Sequence, residues 1–458
     1  MLKFKTNIKI HKSLIYLVLL VVFILYSGLV LNRPSFFDWD EWSIIINFLE
    51  TDYNNWLFQK HLGHINPVGK FFYSLELLIF RDKYYLYILV NIILHTINSC
   101  IIYNIIYKIV KLKNLSLVST LLYFSSWNHI ENLLWGMQIS VFLSTMFVLI
   151  ILRLIVINRF KNKIDITWII ILLLCSSFSF SLGITMPTFL IIFISFKYGF
   201  RENINPIITF AITQIIIFLL YLTIYNIQFE YIHKGASTNQ FNFTEYSLKN
   251  LERSILHLIH AIVFAPIYFL TTISASLVNN EVNVILTSFK EFNLFQFVGS
   301  RKFFLLIITL IFLYNFRLRP NYSFLYNLIL FFFLLIPSTI LISISKSYNY
   351  ETIFQCRYYS YIGVFVIFLF IQSIIIKIND IKIKKITIIT IIALLIWNFL
   401  FTLNFLIYSK YKYNSINVKD TYSKVNQCSN PETSIFNPLA NPELTLEQAK
   451  KIHNFMND

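Results

Sequence analysis

The sequence predicts an all-α, polytopic integral membrane protein with about eleven transmembrane helices, and three observations carry that prediction. Hydrophobic residues fill 57% of the 458 positions and charged ones only 13%, spread along nearly the whole chain, which excludes a single soluble core. Successive apolar runs approach or exceed the roughly 20 residues a helix needs to cross a bilayer, and a helix satisfies its own backbone polar groups there. Basic residues gather in alternate loops, as the positive-inside rule requires of such a chain.

The apolar runs place spans at about 13–32, 84–107, 115–128, 134–157, 166–182, 184–198, 206–228, 302–316, 322–345, 358–377 and 386–408. The stretch 254–276 is also apolar but contains His257, His260 and Pro266, and is expected to be interfacial or re-entrant. With a cytoplasmic N-terminus, the inside loops hold nineteen Lys and Arg against three acids, Asp165, Glu202 and Asp380. The outside balances nineteen basic against nineteen acidic residues, so the whole formal excess of +16 lies inside. A full crossing at 254–276 would carry Arg317, Arg319 and the later basic loop Lys382 to Lys385 to the wrong side.

A charge of +16 in a soluble protein would suggest nucleic acid. Here the basic residues sit in short loops with no aromatic-basic groove, so no nucleic acid partner is expected and topology accounts for the charge. The first apolar run is long and lacks a small-x-small cleavage site, and is read as an uncleaved anchor. Cys100, Cys175, Cys356 and Cys428 are scattered without a CxxC pair and indicate neither a zinc site nor a disulfide framework.

The outside segments, about 33–83, 229–301, 346–357 and the region after 409, are the places for chemistry. The first loop opens with Asp38-Trp39-Asp40-Glu41, the densest carboxylate cluster in the chain. Trp42, Ile45, Ile46 and Leu49 then fall on one helical face and Ser43, Asn47 and Glu50 on the other, predicting an amphipathic helix at the membrane interface. Asp38 and Glu41 have the spacing of an N-cap and its N3 partner, a sufficient structural role, which leaves Asp40 unexplained by capping.

Three further clusters follow. Lys60 to Pro67 contains His61 and His64, three apart; with an Asp they can hold a divalent cation, but hydrogen bonding to substrate or lipid phosphate is the preferred reading and no cofactor is expected. Trp127 to Gln138, at an outer junction between spans, suits an aromatic belt and hairpin, while Glu131 and Gln138 suit a polar pocket wall. Gln355-Cys356-Arg357-Tyr358-Tyr359 opens a late span, and the Arg357 fork suits a phosphate near the membrane as well as it suits snorkelling among headgroups.

In their order and common sidedness, these four clusters resemble the GT-C superfamily of membrane glycosyltransferases: an acidic motif in the first outside loop, a His-containing stretch before a Pro, an aromatic and acidic hairpin, and a late Arg-Tyr pair. The N-in arrangement with an odd number of spans is similar too, and the resemblance covers the membrane region, 1–408. Asp38-Trp39-Asp40-Glu41 departs from the usual Asp-Asp or Asp-Glu pair by offering several acids, so the base stays open between Asp40, taken first, and Asp38.

The resemblance implies an enzyme using a polyprenyl-phosphate-linked sugar donor held in the lipid bilayer and a glycan, lipid or protein acceptor, acting on the extracytoplasmic face of a bacterial plasma membrane with inversion at the anomeric carbon. In that reading Asp40 or Asp38 is general base, Glu41 orients the acceptor or caps its helix, and Arg357, with His61 or His64, clamps the donor phosphate. Glu131, Gln138 and Tyr358 are further substrate-binding candidates. Two rival classes remain: a transporter or flippase of lipid-linked sugars, for which Asn91, His95 and Asn98 in the second span are the nearest thing to a path, and a polysaccharide polymerase or ligase. Residues 409–458 turn polar and are expected as an extracytoplasmic tail, solvated by default, while capping-box spacing from Thr445 to Gln448 before a short helix-compatible stretch ending near Phe455 offers a small docked helix as the alternative.

Overall fold

The computed structural model describes residues 40–59, 65–110, 113–124, 129–157, 162–226 and 446–457, together with Phe37, Phe160 and four isolated positions in the first apolar segment. The segment 254–276 and the four expected spans beyond residue 300 lie outside the described residues. Among the described residues every regular element is helical. The first loop contributes α1 (Asp40–Glu50), α2 (Tyr53–Phe58) and α3 (Pro67–Phe80). The bundle follows with α4 (Tyr84–Val110), α5 (Lys113–Phe124), a short α6 (Ile130–Leu134), a 3-10 turn (Gly136–Gln138), α7 (Ile139–Val156), α8 (Lys163–Ser179), a 3-10 segment (Ser181–Thr185), α9 (Met186–Tyr198) and α10 (Ile204–Asn226). A last helix, α11, spans Leu446–Asn457.

Six helices, α4, α5, α7, α8, α9 and α10, therefore fall in the six apolar runs expected between 84 and 228. Three stretches, Tyr84–Lys108, Gly136–Val156 and Arg201–Ile224, are long and apolar enough to cross a membrane. Pro187, conspicuous inside an apolar run, sits in the first turn of α9, where its missing N–H costs nothing; Pro67 opens α3 in the same way.

The bundle helices approach closely through small and hydroxylic residues, as helices do where no water drives them together. Ser144 of α7 and Ser176 of α8 face each other with their hydroxyl oxygens 3.0 Å apart. A Cβ on Gly183 would stand 2.5 Å from the Ser176 backbone, so only glycine admits that approach. Between α9 and α10, Gln214 accepts from both the N–H and the hydroxyl of Thr188. The polar residues within α4 are similarly engaged: Asn91 Nδ2 donates to Trp135 O (2.7 Å), Asn98 Nδ2 donates to Phe142 O (3.0 Å), and His95 Nε2 pairs with Phe124 O (3.0 Å). Each is fully buried, which is the interhelical hydrogen-bonding role expected of them.

Two first-loop helices depart from expectation. The helix predicted from Trp42, Ile45, Ile46 and Leu49 exists as α1, but its polar positions Ser43 (6% exposed) and Asn47 (3%) are as enclosed as Trp42 (1%) and Ile45 (0%). Every position from Glu41 to Asn47 is buried, so α1 is not the interfacial helix the alternation implied. The inverted pattern belongs to α3, whose Lys70, Tyr73, Ser74 and Glu76 are buried while Phe71, Phe72, Leu75, Leu78 and Ile79 are exposed. At the C-terminal end the docked helix, rather than the solvated tail, is found: α11 buries Ala449, Ile452 and Met456 in the same apolar cluster as Trp42, Ile45 and Ile46.

Candidate functional site

The site is assembled around the N-terminal turn of α1. Phe37, just before the helix, packs edge-on against Trp42, Tyr84 and Tyr87, with ring centroids 5.9, 4.8 and 5.3 Å away. Such pairs add roughly 0.5–1.5 kcal/mol each beyond burial. The aromatic nest fixes where α1 begins, and Asp40 is its first residue.

Glu41, the next residue, is fully buried and reaches across to the hairpin between α6 and α7. Its Oε1 accepts from the Met137 N–H (3.1 Å) and its Oε2 from the Tyr84 hydroxyl (2.7 Å). Tyr84 Oη in turn accepts from the Gly136 N–H (3.2 Å) and lies 2.9 Å from Leu134 O. Gly136 suits this approach, since a Cβ there would stand 3.1 Å from Glu41 Oε1 and from Tyr87 Cβ, and both would have to give by a few tenths of an ångström. One carboxylate thus ties α1, α4 and the hairpin turn together, and hydrogen bonds to a buried charge of this kind are among the stronger ones.

Below this tie lies a second carboxyl. Glu76 of α3 is 5% exposed and, among the described residues, neither of its oxygens has a hydrogen-bond partner; the Tyr73 hydroxyl one turn earlier, on a residue 2% exposed, has none there either. Burial first, and the charge of Glu41 second, push the Glu76 carboxyl well above the usual carboxylate range. A group whose pKa is raised on folding stabilises fully below its unfolded value and loses that contribution as pH rises toward the folded one. Glu76→Gln is therefore expected to leave thermal stability unchanged near pH 4, to raise it relative to the parent at pH 8, and to remove a slope of at most ~1.4 kcal/mol per pH unit; melting curves of purified protein at both pH values check it.

Lys70, also on the inner side of α3, has a structural task. Its Nζ donates to Trp56 O (2.7 Å) and Gln59 O (2.6 Å) and stands 5.2 Å from the Trp56 ring centroid, closing the C-terminal turn of α2. Burial lowers its pKa to about 7. At the far side of the hairpin, the His129 ring lies 4.5 Å from that of His95, centroid to centroid, the two planes tilted by 48°; burial, with His95 beside it, holds His129 well below the usual imidazole range and therefore neutral.

Of the residues expected at the site, Glu41 and Gln138 are described with their side chains; Gln138 ends the 3-10 turn, half-buried, beside the Met137 that Glu41 holds. Asp40 and Glu131 are placed by their backbone, in α1 and α6, and their side chains lie outside the described part. Asp38, His61, His64, Arg357 and Tyr358 lie outside the described residues. The acidic cluster and the hairpin, 96 positions apart, are brought into direct contact. Glu76, Tyr73, Lys70 and Tyr84 were missed from sequence; a lone Lys and a lone Glu six residues apart in the otherwise apolar Pro67–Phe80 run were the available signal. Among the described residues no three His, Cys, Asp or Glu side chains converge as metal ligands would. No protein-family model matches the chain, and no curated protein matches it.

Proposed function

We propose that this chain is a membrane glycosyltransferase of the GT-C type, moving a sugar from a polyprenyl-phosphate donor to an acceptor hydroxyl at the outer face of a bacterial plasma membrane, with the N-terminus cytoplasmic. The observation that supports it is the Glu41 tie, by which the first turn of α1 meets the turn between α6 and α7 through Met137 and Tyr84.

The chemistry asks little beyond position and charge. A carboxylate at Asp40, or at Asp38, takes the acceptor hydroxyl proton as that oxygen attacks the anomeric carbon; the bond from that carbon to the phosphate oxygen breaks, and polyprenyl phosphate departs with the electron pair. Inversion follows from this single displacement. Arg357, with His61 or His64, is assigned to the phosphate charge, Tyr358 to the donor beside it, and Glu131 and Gln138 to the acceptor side. Glu41, enclosed and doubly bonded, is assigned to holding the turn.

The transport reading draws less support, because Asn91, His95 and Asn98, the polar residues it would use, are committed to carbonyls of neighbouring segments. The test is a transfer assay in membranes containing the protein, with lipid-phosphate sugars as donors and mass spectrometry of the products. An acceptor heavier by one sugar is expected. Transfer of a preassembled block would favour the polymerase or ligase reading, and donor that changes leaflet without reacting would favour a flippase.

A further inference from the structure

We infer that α11 is a strap laid across α1 that sets the pitch of the acidic turn at Asp40, and that residues 40–83 and 446–457 consequently face the same side of the membrane. The first half rests on the function proposed above; the second does not.

Five contacts carry it. Ala449, Ile452 and Met456, spaced to share one helical face, are at most 2% exposed and join the cluster that contains Trp42, Ile45 and Ile46. Phe455 lies between Phe48 of α1, 6.0 Å away by ring centroids, and the Arg81 guanidinium, 4.7 Å above its ring. Arg81 also donates from Nη1 to the Phe455 carbonyl. Lys451 closes the C-terminal end of α1 by its 2.9 Å ion pair with Glu50.

Arg81 is also the one described non-glycine residue with positive φ, at 54°. A side chain is held in such a conformation only where its surroundings over-determine it. Here the Tyr87 hydroxyl donates to its carbonyl (3.0 Å) while α11 engages its side chain. The turn from α3 into α4 is thus fastened partly by α11. Helix α1 is pinned at both ends, by the hairpin through Glu41 and by α11 through Phe48 and Glu50, and Asp40 cannot swing without breaking one of the two.

Surfaces in direct contact cannot lie on opposite sides of a hydrocarbon layer about 30 Å thick. The chain between Glu50 and Leu446 must then cross the bilayer an even number of times. The ten crossings expected from sequence after residue 83 satisfy this, and an eleventh through 254–276 would break it.

The experiment uses the full-length protein with Cys100, Cys175, Cys356 and Cys428 replaced by Ser. Glu50→Cys and Lys451→Cys are introduced singly and together. A membrane-impermeant maleimide applied to intact cells, and then to permeabilised ones, is expected to label both positions from the same side, and a short bismaleimide to join the pair within one chain. Labelling from opposite sides overturns the strap and the parity together. In the unmodified background, Ile452→Asp is expected to lower sugar transfer at least tenfold, Ile452→Leu to leave it unchanged, and the double exchange Glu50→Lys with Lys451→Glu to recover what either single exchange loses. Full transfer by Ile452→Asp overturns the positioning role. If the parent itself transfers no sugar, the proposed function fails, and the sidedness labelling still decides the strap.

Discussion

Asp40→Asn is expected to lower sugar transfer by roughly 10²–10⁴-fold at equal protein in the membrane, the range a positioned general base contributes. The substitution keeps the size of the side chain and its preference for a helix start, and removes only the capacity to take a proton. Because Asp40 is the first residue of a helix whose next position is locked by two hydrogen bonds, the backbone that carries it has no reason to move. Folded yield and melting temperature should stay at parent values while the rate falls. Asp38→Asn, made beside it, tells the two acids apart, and full transfer by both variants would remove the acidic turn from the chemistry.

The opposite separation is expected at the neighbouring residue. Glu41→Ala should destabilise the protein by about 3 kcal/mol or more, visible as a fall of several degrees in the melting temperature of detergent-purified protein and a loss of monodisperse material on size exclusion. The truncation leaves the Met137 N–H without its acceptor, an unmade bond to a buried charge that carries about 1.5–3 kcal/mol, and the emptied volume adds to that cost, while the Tyr84 hydroxyl can still donate to Leu134 O 2.9 Å away. Glu41→Gln should be milder, because an amide oxygen can still accept from one of the two donors. Should Glu41→Ala keep the parent's stability while abolishing transfer, the tie is not what holds α1, and the residue moves from structure to chemistry.

Much of the bundle was legible because its signal is length and polarity, and nothing in lipid competes with it. The run at 84–107 becomes α4, three residues longer, and the run at 134–157 becomes the 3-10 turn and α7 from Gly136 to Val156, while Asn91 and Asn98 inside α4 bond carbonyls of neighbouring segments. The first loop was less legible, for one physical reason. Amphipathic alternation states that a helix has two environments and says nothing about which is water, lipid or protein. In α1 both environments are protein, with Ser43 and Asn47 enclosed under neighbouring segments. In α3 the apolar face is outermost and the polar face lines the interior, so Glu76 reads in sequence as an incidental acid rather than a buried one. The hairpin's sequence pointed to a polar wall, but contact of its turn with Glu41 depends on Gly136 and Tyr84, whose relevance no local pattern announces.

The docking of α11 also has a bearing on how the protein is made. Helix α1 leaves the ribosome about 400 residues before α11 does, an interval of roughly 20–80 s at ordinary synthesis rates. Through that interval Trp42, Ile45 and Ile46 have lost water on only part of their surface, and the outer loop waits half-assembled while the rest of the chain is threaded into the bilayer. The acidic turn thus takes its final setting only after α11 has been delivered to the same side, so a nascent chain stalled before Leu446 carries the whole acidic motif and yet an unfinished site.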